Sequence, residues 1–244
     1  MSTIAHERAE TARTISQRLA KIPFVEGICL FGSLARGDTD EWSDIDLLVV
    51  GDSEQLRPTA LLRSLPDRLR TERLSLVCYS PEELRSLFEM GSSFIDHIRQ
   101  EGKPLYDRNG LLTHILKDSF EPKLNVAEEL STELKRLEIY DDLSLFKGNF
   151  LFCLAQLYAI GKSVAILGVL AGGDREYARD RAFEAAKLIY PERATEIEKI
   201  SRLRPFYRRV TRRQPEPLPF HYRGADEEVR DAVSAVRALA SAIE

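Results

Sequence analysis

Two aspartates one residue apart, Asp44 and Asp46, stand at the head of an apolar run made of Ile45 and then Leu47-Leu48-Val49-Val50. On a β-strand alternate side chains share a side, so at about 3.3 Å rise per residue the two carboxylates would project together, roughly 7 Å apart along the backbone. Ionised carboxylates that close repel each other, and a divalent cation between them is the usual relief. Mg²⁺ suits such a pair because it takes hard oxygen ligands, keeps several waters and fills its remaining positions with phosphates. Upstream, a second apolar run ends in Leu30-Phe31-Gly32-Ser33. Gly32 permits a tight turn, and Ser33 with the backbone N–H groups after it could cradle phosphate oxygens. Arg36 lies close enough in sequence to be a phosphate partner, and Ser43 to brace the strand that carries the acids. Taken singly, Gly-Ser is an ordinary turn and Asp-x-Asp a common strand entry or cap. The ordered combination points to a metal-bound nucleoside triphosphate.

The elements that must position these residues follow from periodicity. Ile4, Ala5, Ala12, Ile15 and Leu19 recur at helical spacing over residues 3–20, and Pro23 ends that helix. Phe24 to Phe31 reads as the strand that delivers Gly32, and Asp44 to Val50 as a second strand whose apolar half is buried on both faces. Leucines from Leu56 to Leu69 suggest helical turns broken by Pro58 and Pro66, before a third strand at Leu74–Tyr79. Ser80-Pro81-Glu82-Glu83 then has the residues of a capped helix start. A helix over Ser92–Gln100 puts Phe94, Ile95 and Ile98 on one side, with His97 beside that face as a structural residue. Lys103–Asp107 reads as a short closing strand, 110–120 as a helix, and Glu121-Pro122-Lys123-Leu124-Asn125 as a boundary. Two domains are therefore expected, 1–120 and 121–244.

An apolar strand, Gly32-Ser33, a short linker and then Asp44-Ile45-Asp46 resembles the nucleotidyltransferase superfamily related to DNA polymerase beta. The likeness is to its minimal nucleotidyltransferases and aminoglycoside adenylyltransferases in particular, specific over about residues 24–50 and looser to about 107. The resemblance implies an α+β fold, with a small mixed sheet flanked by helices in the N-terminal domain and an all-α helical bundle behind it. It also implies transfer of a nucleoside monophosphate, AMP from ATP, to a hydroxyl on a small molecule, a protein or RNA. Asp44 and Asp46 would be the catalytic, metal-holding residues for two Mg²⁺ ions; Gly32 and Ser33 would meet the β- and γ-phosphates, with Arg36 and Ser43 beside the nucleotide.

Active relatives usually carry a third carboxylate on the following strand, and here the aligned position is Ser75. A serine neither holds a divalent cation as a carboxylate does nor serves as a base unaided near neutral pH. Glu72, three residues earlier, faces the wrong way unless a bulge intervenes. Either another acid substitutes, or the chain is a catalytically weakened nucleotide-binding regulator, such as an antitoxin-like or defence-system component.

Composition narrows the partners. With 244 residues and 43% hydrophobic content the chain can build real cores, and the net charge is −4. Basic and acidic residues number 15 and 19 up to residue 120, and 20 and 20 beyond it, so no global basic field argues for nucleic acid. Cys29, Cys78 and Cys153 each lie in apolar runs and read as buried free thiols of a reducing cytoplasm. No leader-like apolar core opens the chain, and no membrane span is expected.

The second half reads as helix throughout, over Val126–Tyr140, Leu143–Leu170, and about 174–189, 191–210 and 226–243. Leu143–Leu170 is the most apolar, but Lys147, Gly148, Gln156, Gly161 and Lys162 interrupt it, which suggests the central helix of a bundle. Lys199, Arg202, Arg204, Arg208, Arg209, Arg212 and Arg213 surround Phe206 and Tyr207 without an acid among them. That cluster is a solvated basic helix face, or else a surface for triphosphate, RNA or an acidic partner. The Arg-then-His signature of HEPN-type ribonucleases is not met: His221 follows Arg213 by too long a gap, and His114 follows Arg108 in the other domain. A homodimer is compatible with everything in the chain, and the acceptor is not written in it.

Overall fold

The computed structural model describes residues 3–40, 43–70, 73–117, 123–212 and 225–244. Glu72, the first two residues of the 121–125 boundary, the end of the 110–120 helix, Arg213, the proline loop at 214–219 and His221 lie outside the described residues. The chain forms two compact units, Met1–Leu124 and Asn125–Glu244.

Unit 1 is built on four strands: β1 (Val25–Phe31), β2 (Ile45–Gly51), β3 (Leu74–Tyr79) and β4 (Lys103–Asp107). They lie in the order β3-β2-β1-β4, with β1 antiparallel to β2 and β4, and β2 parallel to β3, giving a mixed sheet. Strand alternation accounts for the unbroken apolar run in β2. Ile45, Leu47 and Val49 join a core with Ala12, Ile15 and Leu19 of α1 (Thr3–Leu19) and Leu61 of α3 (Pro58–Ser64). Leu48 and Val50 point the other way, into a core with Leu84 of α4 (Pro81–Glu89), Ile95 and Ile98 of α5 (Ser93–Glu101) and Leu112 of α6 (Leu111–Lys117). Each fully buried leucine or valine in these layers is worth about 1.5–3 kcal/mol relative to exposure. The sheet is therefore held rigid on both faces up to the edge where Asp46 begins.

Local signals set the element ends. Ser80 Oγ accepts the Glu83 N–H at 3.1 Å and Glu83 Oε2 accepts the Ser80 N–H at 2.7 Å, a reciprocal capping box that starts α4 directly after β3. Ser92 Oγ accepts the Phe94 N–H at 3.2 Å and starts α5. Burial drives the thiol pKa of Cys29 up to about 12 and those of Cys78 and Cys153 to about 11, so these sulfurs behave as apolar filling.

Unit 2 gathers α7 (Val126–Leu137), α9 (Arg179–Ile189), α10 (Ala194–Ser201), α11 (Arg204–Arg212) and α12 (Ala225–Ile243) around α8 (Phe150–Ala171). Several of the expected helices come out shorter than their periodicity suggests: Val126–Tyr140 ends as α-helix at Leu137, and 174–189 begins at Arg179. The Leu143–Leu170 helix begins only at Phe150, because Lys147 and Gly148 take positive φ values of 48° and 80° after a 3₁₀ turn at Leu143–Phe146. The 191–210 helix breaks at Arg202-Leu203 into α10 and α11. With Lys147 and Gly148 outside it, the 22-residue α8 is after all long and apolar enough to cross a membrane by length and composition. More than half of its most apolar stretch is buried under the surrounding helices of unit 2. Gly161 is a point of close approach: a Cβ there would run into Ile200 of α10.

Candidate active site

β1 runs into a five-residue helix, α2 (Gly32–Arg36), through Gly32 at φ +73°. An ideal Cβ on Gly32 would lie 2.5 Å from Asp46 Oδ2, so the bare Cα of the turn is seated against that carboxylate. Gly37, at φ +91°, closes α2 by donating its N–H to the Ser33 carbonyl at 2.9 Å. Ser43 is tied back to Asp40: its hydroxyl accepts the Asp40 N–H at 3.0 Å and donates to Asp40 Oδ1 at 2.7 Å. Ser43 is buried, and it delivers the chain to Asp44, the residue just before β2.

Asp46 sits opposite Phe31 of β1 on one side and opposite Ser75 of β3 on the other. Its place in the alternation is that of Leu48 and Val50, and Ser75 shares that of Val77 and Tyr79, so both face the layer of α4 and α5. The serine found by counting along the third strand is thus the direct strand neighbour of Asp46. Both aspartates are half-buried.

Arg36 is placed differently from a bare phosphate partner. Its Nη1 donates to Glu101 at 3.0 Å (Oε1) and 2.7 Å (Oε2), and its Nε to Asp38 at 3.2 and 3.1 Å. Burial alone would lower its pKa, but the two carboxylates outweigh that and hold the guanidinium above its ordinary value. Glu101 also accepts the Gly32 N–H at 2.8 Å and lies against His97 Nε2. The ring of His97 meets Phe31 edge-on, with centroids 5.8 Å apart, so the residue read as structural packs beside the turn. Sequence reasoning missed Glu101. A carboxylate as the last residue of a helix works against the helix dipole, and that misfit was its only signal.

Among the described residues no group of three or more His, Cys, Asp or Glu side chains forms a ready-made metal site. The donor set nevertheless fits Mg²⁺, which needs only one or two carboxylates when phosphate oxygens complete its shell. The contact of the Gly32 turn with Asp46 would put those oxygens within reach of a cation held there. Gly32→Ala should lose this arrangement, since the left-handed φ costs a non-glycine residue about 1–2 kcal/mol and the new methyl collides with Asp46. The expected result is a lowered melting temperature with at least about tenfold weaker Mg-ATP binding by calorimetry; wild-type values for both would show that the turn is not seated on the carboxylate.

Residues 10–106 match the family model described as the nucleotidyltransferase domain. Unit 1 carries a nucleotidyltransferase domain. No curated protein matches the chain. Among solved structures, the spectinomycin adenyltransferase AAD(9) from Enterococcus faecialis, determined with ATP and spectinomycin, aligns over 95% of this chain and 99% of its own at 14% identity and a TM-score of 0.54, a likeness of fold. A nucleotidyltransferase-like protein from Exiguobacterium sibiricum 255-15 aligns over 96% and 74% at 18% identity and a TM-score of 0.36. A toxin-antitoxin structure with AMP-PNP aligns over 55% and 98% at 22% identity and a TM-score of 0.32.

Beyond the nucleotidyltransferase domain, the basic run lies on α10 and α11 of unit 2. Arg202 pairs with Glu198 at 3.2 Å, Arg204 with Asp180 at 2.9 Å, and Lys199 approaches Asp231 at 3.7 Å. Phe206 is 1% exposed, and the Tyr207 ring packs on Tyr158 at 5.2 Å. Local acids neutralise these cations and Phe206 serves the core, an arrangement that favours a solvated basic face over a base-stacking surface.

Proposed function

We propose that the nucleotidyltransferase domain transfers a nucleoside monophosphate, AMP from Mg-ATP, to a hydroxyl of an acceptor. The observation that carries this reading is the corner where the Gly32 turn sits against Asp46, two residues after Asp44 at the entry to β2. Asp44 and Asp46 would hold two Mg²⁺ ions, which when bound would supply charge neutralisation for the triphosphate and acidify the attacking hydroxyl. Ser33 and the amides after it hold the β- and γ-phosphates, with Gly32 shaping the turn while its own N–H stays on Glu101, and buried Ser43 fixes the chain just before Asp44. Positioning and electrostatics account for most of the acceleration in phosphoryl transfer, so a missing base lowers the rate without abolishing it. An adenyltransferase of the same fold solved with ATP and spectinomycin supports ATP as donor and a small hydroxylated molecule as acceptor.

Calorimetry with ATP in the presence of Mg²⁺ tests the binding half of the reading. Pyrophosphate release with spectinomycin, protein and RNA as acceptors tests the transfer half. Saturable, Mg-dependent binding is expected, and its absence would overturn the proposal. A second reading draws on the position of Ser75 beside Asp46: a regulator that binds Mg-ATP and transfers nothing. Tight binding without pyrophosphate release across all three acceptor classes would favour it.

A further inference from the structure

Glu101 is a carboxylate in the wrong place by local rules. It ends α5, where the helix dipole disfavours negative charge, and its side chain is only 7% exposed, where an unpaired charge is expensive. Contacts far away in sequence compensate it. The Gly32 N–H and the Arg36 guanidinium, 69 and 65 residues upstream, both donate to it, and His97 flanks it from one turn back on α5. Burial pushes its pKa up, but His97 and Arg36 together hold it below the ordinary carboxylate range, so it stays an anion.

What this anion grips is the nucleotide-facing turn. It takes Gly32 by its N–H at 2.8 Å, while the bare Cα of the same residue rests on the Asp46 carboxylate. Gly32 is thus clamped between two carboxylates, one fixing its amide and the other filling the space a side chain would need. Through Arg36, Glu101 also holds the last residue of α2, so both ends of that short helix are tied to α5.

From this geometry we infer that Glu101 is a positioning residue for nucleotide binding. It sets the left-handed conformation of Gly32, and thereby the approach of the turn to Asp46, without contacting the nucleotide. Arg36 serves the same tie. The inference rests on the reading of the Asp46 corner as the nucleotide site.

The test uses the full chain with Glu101→Gln and Glu101→Ala. Gln keeps a carbonyl for the Gly32 N–H and loses the ion pair with Arg36; Ala loses both. Mg-ATP affinity by calorimetry should fall about tenfold for Gln and about a hundredfold for Ala, since hydrogen bonds to a charged group are worth factors of that size. The Gly32 amide proton should shift upfield and exchange faster with solvent in the same order. A merely structural role would lower the melting temperature and leave binding alone. Mg-ATP affinity within twofold of wild type in Glu101→Gln, measured well below its melting temperature, would overturn the inference even if the fold were weakened. Should wild type itself fail to bind Mg-ATP, the nucleotide reading fails first. The amide then still decides on Glu101: an unmoved Gly32 resonance in Glu101→Ala would show that it does not position the turn.

Discussion

Asp46→Asn is expected to weaken Mg-dependent ATP binding and any transfer by about a hundredfold or more while leaving the melting temperature close to wild type. Asparagine keeps the size of the side chain that fills the space against Gly32, so the turn has no reason to move. Asp46 also lies at the start of β2, with the buried Leu47–Val50 segment beyond it unaltered. What changes is charge. A neutral amide oxygen replaces one of two carboxylates that would neutralise a cation between the protein and a triphosphate, and such charge stabilisation is worth several kcal/mol. Asp44→Asn should act in the same direction, because a single remaining carboxylate leaves the cation to water and phosphate. Glu89→Gln, an exposed charge change on α4, serves as the control and should alter neither quantity. Calorimetry with and without Mg²⁺ measures binding, and ATP labelled at the α-phosphate measures transfer. Equal affinity in wild type and Asp46→Asn would remove the basis for placing the cation there.

The strands around this corner could be read in advance because their residues carry their own instructions. Leu47 to Val50 is apolar at every position, which only a strand covered on both faces tolerates, and the structure divides the run between two cores. Ser80 and Glu83 sit at capping-box spacing and form the box. The helical half was less open to reading. Periodicity does not record a left-handed backbone at a lysine, so it starts at Leu143 a helix that the structure starts at Phe150. With Lys147 outside it, α8 carries Lys162 as its single charged side chain and is long and apolar enough for a span by composition. The tie from Glu101 to Gly32 was hidden for a different reason. Neighbours 69 residues apart meet only after the sheet has formed, and a Glu before a Gly at a helix end looks like any solvated terminus. Arg36 reads from the sequence as a phosphate partner because it lies near the turn, while its distant partner Glu101 is invisible there.

Ser75→Asp should have the opposite sign to Asp46→Asn, raising transfer by about 10²-fold or more if the domain is an enzyme short of its base. β3 runs parallel to β2 with Ser75 directly beside Asp46, and neighbouring strands lie about 4.8 Å apart, so the new carboxylate would share a cation with Asp46 or accept the proton of the attacking hydroxyl. The same proximity has a cost without metal. Two like charges at that spacing repel, so the variant should melt below wild type in a chelator and recover when Mg²⁺ is added, which wild type should do far less. This pair of readouts separates the two functional readings. If wild type already releases pyrophosphate and the variant releases it faster, Ser75 marks a slowed enzyme. If wild type binds Mg-ATP but is inert and the variant turns over, the chain is a nucleotide-binding regulator one carboxylate away from catalysis. If the variant gains neither Mg-dependent stability nor activity, the side chain at position 75 does not face the site that Asp46 faces, and the third-strand position has no part in the chemistry.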